Sequence, residues 1–557
     1  MMDKFTQLVQ IGQSLWYDNI QRRLLQNGEL AAMIAAGEIR GVTSNPSIFN
    51  NAIAKTNDYD AALKPMAWAG WNAEQIFFQL AVEDIRAATD LFHTLYDESK
   101  GGDGYVSLEV SPTLAHNAKK TLEQAQALWG RVNRPNLMVK IPATRAGLKA
   151  IRGAIAAGLN INVTLIFSLE RYAEVIDAYL SGLEDRAARG EPIDGIASVA
   201  SFFVSRVDTK VDAMLQAIIA RGGAEAEKAR ALLGKAANAN ARLAYHIHEE
   251  TMASKRWALL RAKGARPQRP LWASTSTKNP AYPDLIYVTN LIAPDTVNTV
   301  PPQTLDAYRD HGSAALAFRG EQGVAEARAA IAGLESLGIS MARVTEELED
   351  EGVKSFADAF ATMLLAIETR RKAALAELGS LAKPAAARVA ELWRIGTPER
   401  IFAKDPTLWT DDAIGQEEIR KRMNWLFLPK TSRALLPEMA GLMAGCQVEG
   451  LTHALLLGMG GSSMAPEVFS YTFGQREQDG VVGLELTVLD STDPGQVRAA
   501  ARNAPVDSTL YIVSSKSGTT SEINAFLDYF WARAKRRHGK AAGKYFVAIT
   551  DPGTALE

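Results

Sequence analysis

A single cysteine in 557 residues rules out an intramolecular disulfide, and Cys446, set in Ala-Gly-Cys-Gln, has no second ligand at metal-binding spacing. It reads as a structural thiol of a chain kept in a reducing compartment. Neither charge is in excess: 61 Lys and Arg face 63 Asp and Glu, a net charge of -2. So weak an overall field excludes recruitment of nucleic acid or an anionic membrane by charge alone, and any anionic ligand must be held by local groups. No apolar run approaches the length of a membrane span, and the opening Met-Met-Asp-Lys-Phe-Thr-Gln lacks the basic stretch and apolar core of a signal peptide. A cytoplasmic protein is expected. Internal repeats and low-complexity tracts are missing too, apart from alanine-rich helical stretches.

What is present is length and alternation. The chain exceeds what one core holds, so two domains are expected. From about Ser14 to Val300, short apolar or β-branched runs alternate with amphipathic helical stretches, the pattern of βα units around a parallel sheet. Eight strands are predicted: Leu15 to Asp18, Gly41 to Ser44, Val106 to Val110, Leu137 to Ile141, Ile161 to Phe167, Ala197 to Val204, Leu271 to Ser274 and Asp295 to Thr299. Eight such units imply a closed (β/α)8 barrel. Asn72 and Gln75 are spaced as a capping box, with Trp71 and Ile76 as a staple, and Gly101-Gly102-Asp103-Gly104 reads as a turn.

Helical sequence continues from Gly338 to Leu378, with Leu348, Val353, Phe356, Phe360 and Leu364 recurring as a core stripe. Lys-Pro, Gly-Thr-Pro and Asp-Pro steps between Ala382 and Pro406 mark a boundary. The expected organisation is a barrel over 1–375, a linker over 376–410 and a partial parallel-sheet α/β domain over 411–557. Its strands are Ala454 to Leu457, Leu484 to Leu489, Leu510 to Val513 and Tyr545 to Ile549.

Chemistry in a barrel gathers at strand ends, so polar residues inside apolar strands are the candidates. Lys140, within Leu-Met-Val-Lys-Ile-Pro, places an ammonium among hydrophobic neighbours; desolvation there lowers a lysine's pKa and suits it to Schiff-base attack. A lysine that merely snorkels from a strand end is the plainer reading of that residue alone. Strand parity puts Asn160, Asn162 and Thr164 on one face, Ser107 with Glu109, and Met138 with Lys140, while Asp18 ends the first strand. A Schiff-base enzyme needs a neutral amine to attack a ketone and carboxylates to shuttle protons through a water, and Asp18, Glu109 and Thr164 could supply that relay.

These pieces resemble transaldolase. The motifs are Leu15-Trp-Tyr-Asp-Asn19, Gly41-Val-Thr-Ser-Asn-Pro-Ser-Ile-Phe49, Ser107-Leu-Glu-Val-Ser-Pro112, Val139-Lys-Ile-Pro142, Asn162-Val-Thr-Leu-Ile-Phe-Ser168, Ser198 to Asp208, and Ala273-Ser-Thr-Ser-Thr-Lys-Asn-Pro280, in the family's order. The resemblance implies an imine between Lys140 and a ketose phosphate, Glu109 and Asp18 as acid and base, and a water positioned by Thr164. It implies that Asn45 and Asn162 bind substrate hydroxyls, and that Ser201 and Arg206 hold the distal phosphate. One departure stands out. Where the family carries a second arginine this chain has Ser276-Thr277-Lys278, so Lys278, beside Ser276, becomes the phosphate ligand as a point charge without bidentate geometry. No metal or other cofactor is expected, because the imine is itself the electron sink and no His, Asp and Glu cluster suggests a metal site.

Further on, Leu455-Leu-Leu-Gly-Met-Gly-Gly-Ser-Ser463 passes from a strand into a glycine-serine turn before a helix expected to open at Ala465-Pro-Glu. Such a turn presents backbone N–H groups to an anion. A dinucleotide site is the rival reading, with Asp490 ending a later strand, but the third glycine of that fingerprint is missing. Ser514-Ser-Lys-Ser-Gly-Thr-Thr-Ser521 favours a phosphate monoester, since it gathers hydroxyls and a lysine before a helix at Glu522 to Trp531. Together the two loops are similar to the sugar isomerase (SIS) domain of phosphoglucose isomerase. That similarity places Gly461, Ser462, Ser515, Lys516, Ser517, Thr519 and Thr520 around a sugar phosphate. Non-catalytic sugar-phosphate regulators use similar motifs, and the glutamate, histidine and lysine that isomerases use lie beyond those present.

The whole therefore resembles a transaldolase fused to an incomplete glucose-6-phosphate isomerase. This implies transfer of a dihydroxyacetone unit from sedoheptulose 7-phosphate to glyceraldehyde 3-phosphate in the pentose phosphate pathway, with fructose 6-phosphate linking the two halves to glycolysis and gluconeogenesis. Two alternatives stay open: an aldolase that frees dihydroxyacetone to water, and a second half that binds sugar phosphate without turnover. Sugar phosphates are the expected partners, and the oligomeric state, a homo-oligomer included, is left open.

Overall fold

Eight apolar runs form parallel strands: β1 (Gln13–Tyr17), β2 (Gly41–Val42), β3 (Tyr105–Glu109), β4 (Leu137–Pro142), β5 (Ile161–Ile166), β6 (Ser198–Phe203), β7 (Gln268–Ala273) and β8 (Thr296–Val300). They close in sequence order, β8 pairing with β1, into the barrel that the alternation implies. Helices cover the outside, so nearly every strand residue is buried on either face, and the strands read as continuous apolar runs. The computed structural model describes residues 3–474, 477–478 and 481–557. These divide into two compact units, Met1–Ile395 and Gly396–Glu557.

In the first unit, helix α1 (Ala73–Leu91) begins with the reciprocal bonds of Asn72 and Gln75. The last long helix, α2 (Met341–Ala376), is capped by Ser340 and buries Leu348, Phe356, Phe360, Met363 and Ile367. The span 376–410 is mostly helical, with helices at Ala382–Arg394 and Thr397–Phe402, and the two units part within it.

Strand alternation holds in β5 only as far as Thr164. Leu165 has a positive φ of 60°, and the pairing with β6 shifts between Val163 and Ile166. This bulge re-aims the strand end next to the site, as bulges beside active sites do. Asn160, grouped by parity with Asn162 and Thr164, serves the fold: its amide binds the carbonyls of Pro135 and Leu137 and the N–H of Ala197, tying neighbouring backbones together.

In the second unit, strands β9 (His453–Gly458), β10 (Glu485–Leu489), β11 (Thr509–Ser514) and β12 (Phe546–Ile549) form a parallel sheet in the order β10-β9-β11-β12. Helices α3 (Gly461–Phe473), α4 (Pro494–Asn503) and α5 (Ser521–His538) accompany them. Leu455, Leu457, Tyr511, Val513, Phe526 and Phe530 make up much of the core, and Cys446 is buried against Leu451 and Leu510. Helix α3 opens at Gly461, earlier than Ala465, because the N–H groups of Ser463 and Met464 both turn back to the Gly460 carbonyl, 3.1 Å each. Among the described residues no helix is long and apolar enough to cross a membrane.

Candidate active site

Parallel register places Glu109 opposite Lys140 and Lys140 opposite Asn162, so three adjacent strands bring an acid, an amine and an amide to one height in the barrel. Lys140 is 5% exposed. Its Nζ donates to the Ser44 carbonyl at 3.1 Å and lies 3.7 Å from Glu109 Oε2. That separation permits ion pairing but is too long for a hydrogen bond, and Glu109 Oε2 and Thr164 Oγ1 are both buried without hydrogen-bond partners. A buried polar oxygen without a partner calls for an explanation, and Glu109 Oε2 beside the amine has the capacity to take a hydrogen bond from a bound group.

Burial pushes the Glu109 carboxyl up to about 7, against the pull of the Lys140 charge. Asp18, just past β1, is raised by burial as well, but the Lys140 charge and a 2.6 Å hydrogen bond from Thr43 Oγ1 act to keep it ionised. Thr43 in turn lies 2.6 Å from Thr299 Oγ1, which orients it.

A cavity of about 500 Å³ opens at this end of the barrel, lined by Asp18, Thr43, Asn45, Lys140, Ser201, Arg206, Ser276, Lys278 and Phe356 among others. Asn45 caps the short helix Pro46–Phe49, its Oδ1 accepting the Ile48 N–H. Arg206 approaches from the start of the helix that follows β6, and Lys278 from the segment after β7. Burial lowers the pKa of both; for Lys278 the Arg206 charge adds to the effect. Lys278 Nζ donates to Ser276 Oγ at 2.6 Å.

Two expected ligands are placed less directly. Asn162 is fully buried, donating to Ser107 Oγ at 3.0 Å and accepting from Ser201 Oγ at 2.7 Å, so it stands behind the cavity wall. Ser201 lines the cavity but turns its hydroxyl inward to Asn162. Phe356 is buried in the core as its helical stripe implies, and its ring also lies 5.9 Å from Lys140 Nζ and forms part of the cavity wall. A helical stripe alone does not distinguish a core residue from one facing a site. Thr43 lies within the Gly41–Phe49 motif but has no role marked by it, and Thr299 carries no signal beyond its place near a strand end.

In the second unit the strand order reverses between β9 and β11, and the crevice beyond the carboxyl ends of such strands is the usual ligand position in an open parallel sheet. The loops after β9 and β11 flank it. Gly461 and Ser462 begin α3. Ser515 is buried, its hydroxyl donating to Thr520 Oγ1 at 3.3 Å, while Ser517 Oγ accepts from the N–H and hydroxyl of Thr519. Lys516, Ser517 and Thr519 are exposed.

A parallel eight-stranded barrel whose strand ends converge on a buried lysine–carboxylate pair defines a (β/α)8 enzyme. The family described as Transaldolase/Fructose-6-phosphate aldolase matches residues 15–367, and the chain belongs to that family. A transaldolase of Thermobifida fusca (strain YX) is 50% identical over 359 residues, 64% of this chain and 95% of that protein. A transaldolase of Parafrankia sp. (strain EAN1pec) is 47% identical, covering 65% of this chain and 97% of its own. Among solved structures, a glucose-6-phosphate isomerase from Chlamydia trachomatis D/UW-3/Cx is 25% identical over 22% of this chain and 23% of its own, with a TM-score of 0.19, too low to bear on function.

Proposed function

We propose that the first unit transfers a dihydroxyacetone unit from a ketose phosphate such as sedoheptulose 7-phosphate to glyceraldehyde 3-phosphate through an imine on Lys140. The observation that carries this reading is the buried Lys140 Nζ, 3.7 Å from a carboxyl whose pKa lies near neutrality. The amine attacks the C2 carbonyl, and Glu109 protonates the carbinolamine hydroxyl, which leaves as water, with Thr164 holding the water that relays the proton. Asp18 takes the C4 hydroxyl proton. The C3–C4 bond then breaks, its electron pair moves onto the imine to give an enamine, and erythrose 4-phosphate departs. The same steps in reverse on the acceptor form the new bond and free fructose 6-phosphate.

Arg206 and Lys278 suit the distal phosphate, with Ser276 beside them, while Asn45 and, through Ser201, Asn162 suit the sugar hydroxyls. Sugar phosphates of central metabolism as substrates are in keeping with a cytoplasmic enzyme. The test is borohydride treatment with fructose 6-phosphate followed by mass spectrometry: a three-carbon adduct on Lys140 is expected, and Lys140→Met should lose both adduct and transfer while keeping its fold. Transfer near the original rate in Lys140→Met would refute the imine assignment.

For residues 411–557 the reading is a glucose-6-phosphate isomerase-like portion that binds sugar phosphate without turning it over. The switch-point crevice flanked by the Gly458–Ser463 and Ser514–Thr520 loops supports this. Two glycines at a helix start and a cluster of hydroxyls with Lys516 can surround a phosphate monoester.

A further inference from the structure

The two cations of the cavity, Arg206 and Lys278, are carried by different parts of the chain. Arg206 is the second residue of the helix Ser205–Arg221. Lys278 sits in the irregular segment after β7, and its own hydrogen bond reaches only Ser276, two residues away. At its start that segment is held by Ser274 against Ser205 and by the Thr275 hydroxyl on the Thr299 carbonyl; beyond Lys278 a pair of tyrosine–carboxylate bonds ties it to the Arg206 helix. Tyr282 donates to Asp212 Oδ2 at 2.7 Å and Tyr287 donates to Asp208 Oδ2 at 2.8 Å.

Asp208 and Asp212 are one turn apart on that helix, and neither is more than 9% exposed. Their other oxygens are committed to backbone: Asp208 Oδ1 accepts the Ala237 N–H at 2.8 Å and Asp212 Oδ1 the Gly234 N–H at 3.0 Å. Gly234, at a φ of +68°, lets the Tyr282 ring sit against it; a Cβ there would lie 2.8 Å from the ring. The carboxylates are thus fixed acceptors. Burial and these neighbours push both phenols above their ordinary range, so each remains a donor throughout the physiological pH range.

We infer that Tyr282 and Asp212, with Tyr287 and Asp208 beside them, are positioning residues that set Lys278 against Arg206 and thereby set the preference for phosphorylated over unphosphorylated sugars. The inference rests on the reading of Arg206 and Lys278 as phosphate ligands. It makes the two cations one mechanical unit, because a single helix fixes both, the first directly and the second through the tyrosines.

The test is steady-state transfer by the full chain with fructose 6-phosphate or fructose as donor, at saturating erythrose 4-phosphate. Tyr282→Phe keeps the ring and removes only the hydroxyl. It should raise KM for fructose 6-phosphate roughly tenfold, the order that losing one hydrogen bond to a charged group gives, with kcat and the KM for fructose unmoved. Asp212→Ala should do the same, and Asp212→Asn, which keeps an oxygen for the phenol, should recover most of the affinity. A KM that rises equally for both donors, a KM that does not rise, or a kcat that falls alone would make the bond merely structural and overturn the inference. Arg206→Ala and Lys278→Ala separate the two readings. If they collapse the preference while Tyr282→Phe does not, the inference alone fails; if they leave it intact, the phosphate reading fails and takes the inference with it.

Discussion

Burial acts on the two carboxylates nearest Lys140 in the same direction, and their other neighbours then set them apart. Glu109 also borders a small space walled by Phe49, Phe77 and Phe360, its Oε2 has no donor, and its pKa lies at about 7. Asp18 keeps the Thr43 hydroxyl, which favours its charged form. Groups whose surroundings separate their protonation divide the acid and base roles between them, which in the proposed mechanism makes Glu109 the acid and Asp18 the base. The sign for the pH profile follows. The required form of Glu109 is protonated; it prevails below about 7 and is lost as pH rises through that value, so kcat/KM should fall on the alkaline side. Glu109→Gln should abolish that limb and lower kcat by about 10²–10⁴-fold. A profile in which kcat/KM stays level from about pH 6 to about pH 8 would contradict the assignment. At this scale the sequence was informative where a polar residue interrupts an apolar strand, as at Lys140 and Glu109. It was silent where a residue's chemistry depends on a distant partner: Tyr282 finds Asp212 seventy positions earlier in the chain, and nothing local marks either.

Elements were legible for a related reason. Strands buried on both faces become runs rich in apolar residues, which makes the eight of the barrel and β9 and β11 of the second sheet legible. In contrast, β10 and β12 are only partly buried and stand out by their β-branched and aromatic residues, whereas the bulge at Leu165 leaves no compositional trace. The early start of α3 was missed because glycines ordinarily punctuate, and only the backbone bonds to Gly460 reveal that they open a helix there. One glycine is required by an element junction. After β4 the helix Arg145–Ala156 begins under the Thr144 cap, whose hydroxyl accepts the Gly147 N–H at 3.0 Å. A Cβ at Gly147 would overlap the carbonyl oxygen of Pro142, which is backbone and cannot swing aside. Gly147→Ala must therefore displace either the helix start or the end of the strand that carries Lys140. The expected cost is about 1–3 kcal/mol, seen as a Tm lowered by several degrees and a reduced kcat. An unchanged Tm with full activity would mean that the junction relaxes freely.

At the scale of the whole molecule, the barrel and the second sheet each have their own hydrophobic core, and the units part at Ile395. The Thermobifida protein is matched over 95% of its length by 359 residues of this chain, so a barrel with its surrounding helices suffices there for a whole protein. Every side chain assigned to the proposed transfer lies between Asp18 and Lys278, and the positioning pairs extend only to Tyr287. A fragment of residues 1–395 should therefore fold and transfer dihydroxyacetone at the rate of the full chain. Glucose 6-phosphate is an aldose without the C2 ketone that the Lys140 reaction requires, so its binding should depend on the second unit. Calorimetry should find it bound by the full chain and lost from the fragment, with no fructose 6-phosphate formed in either case. A fragment that folds but transfers poorly would show that the second unit contributes to the first reaction, whereas isomerisation by the full chain would make that unit an enzyme in its own right.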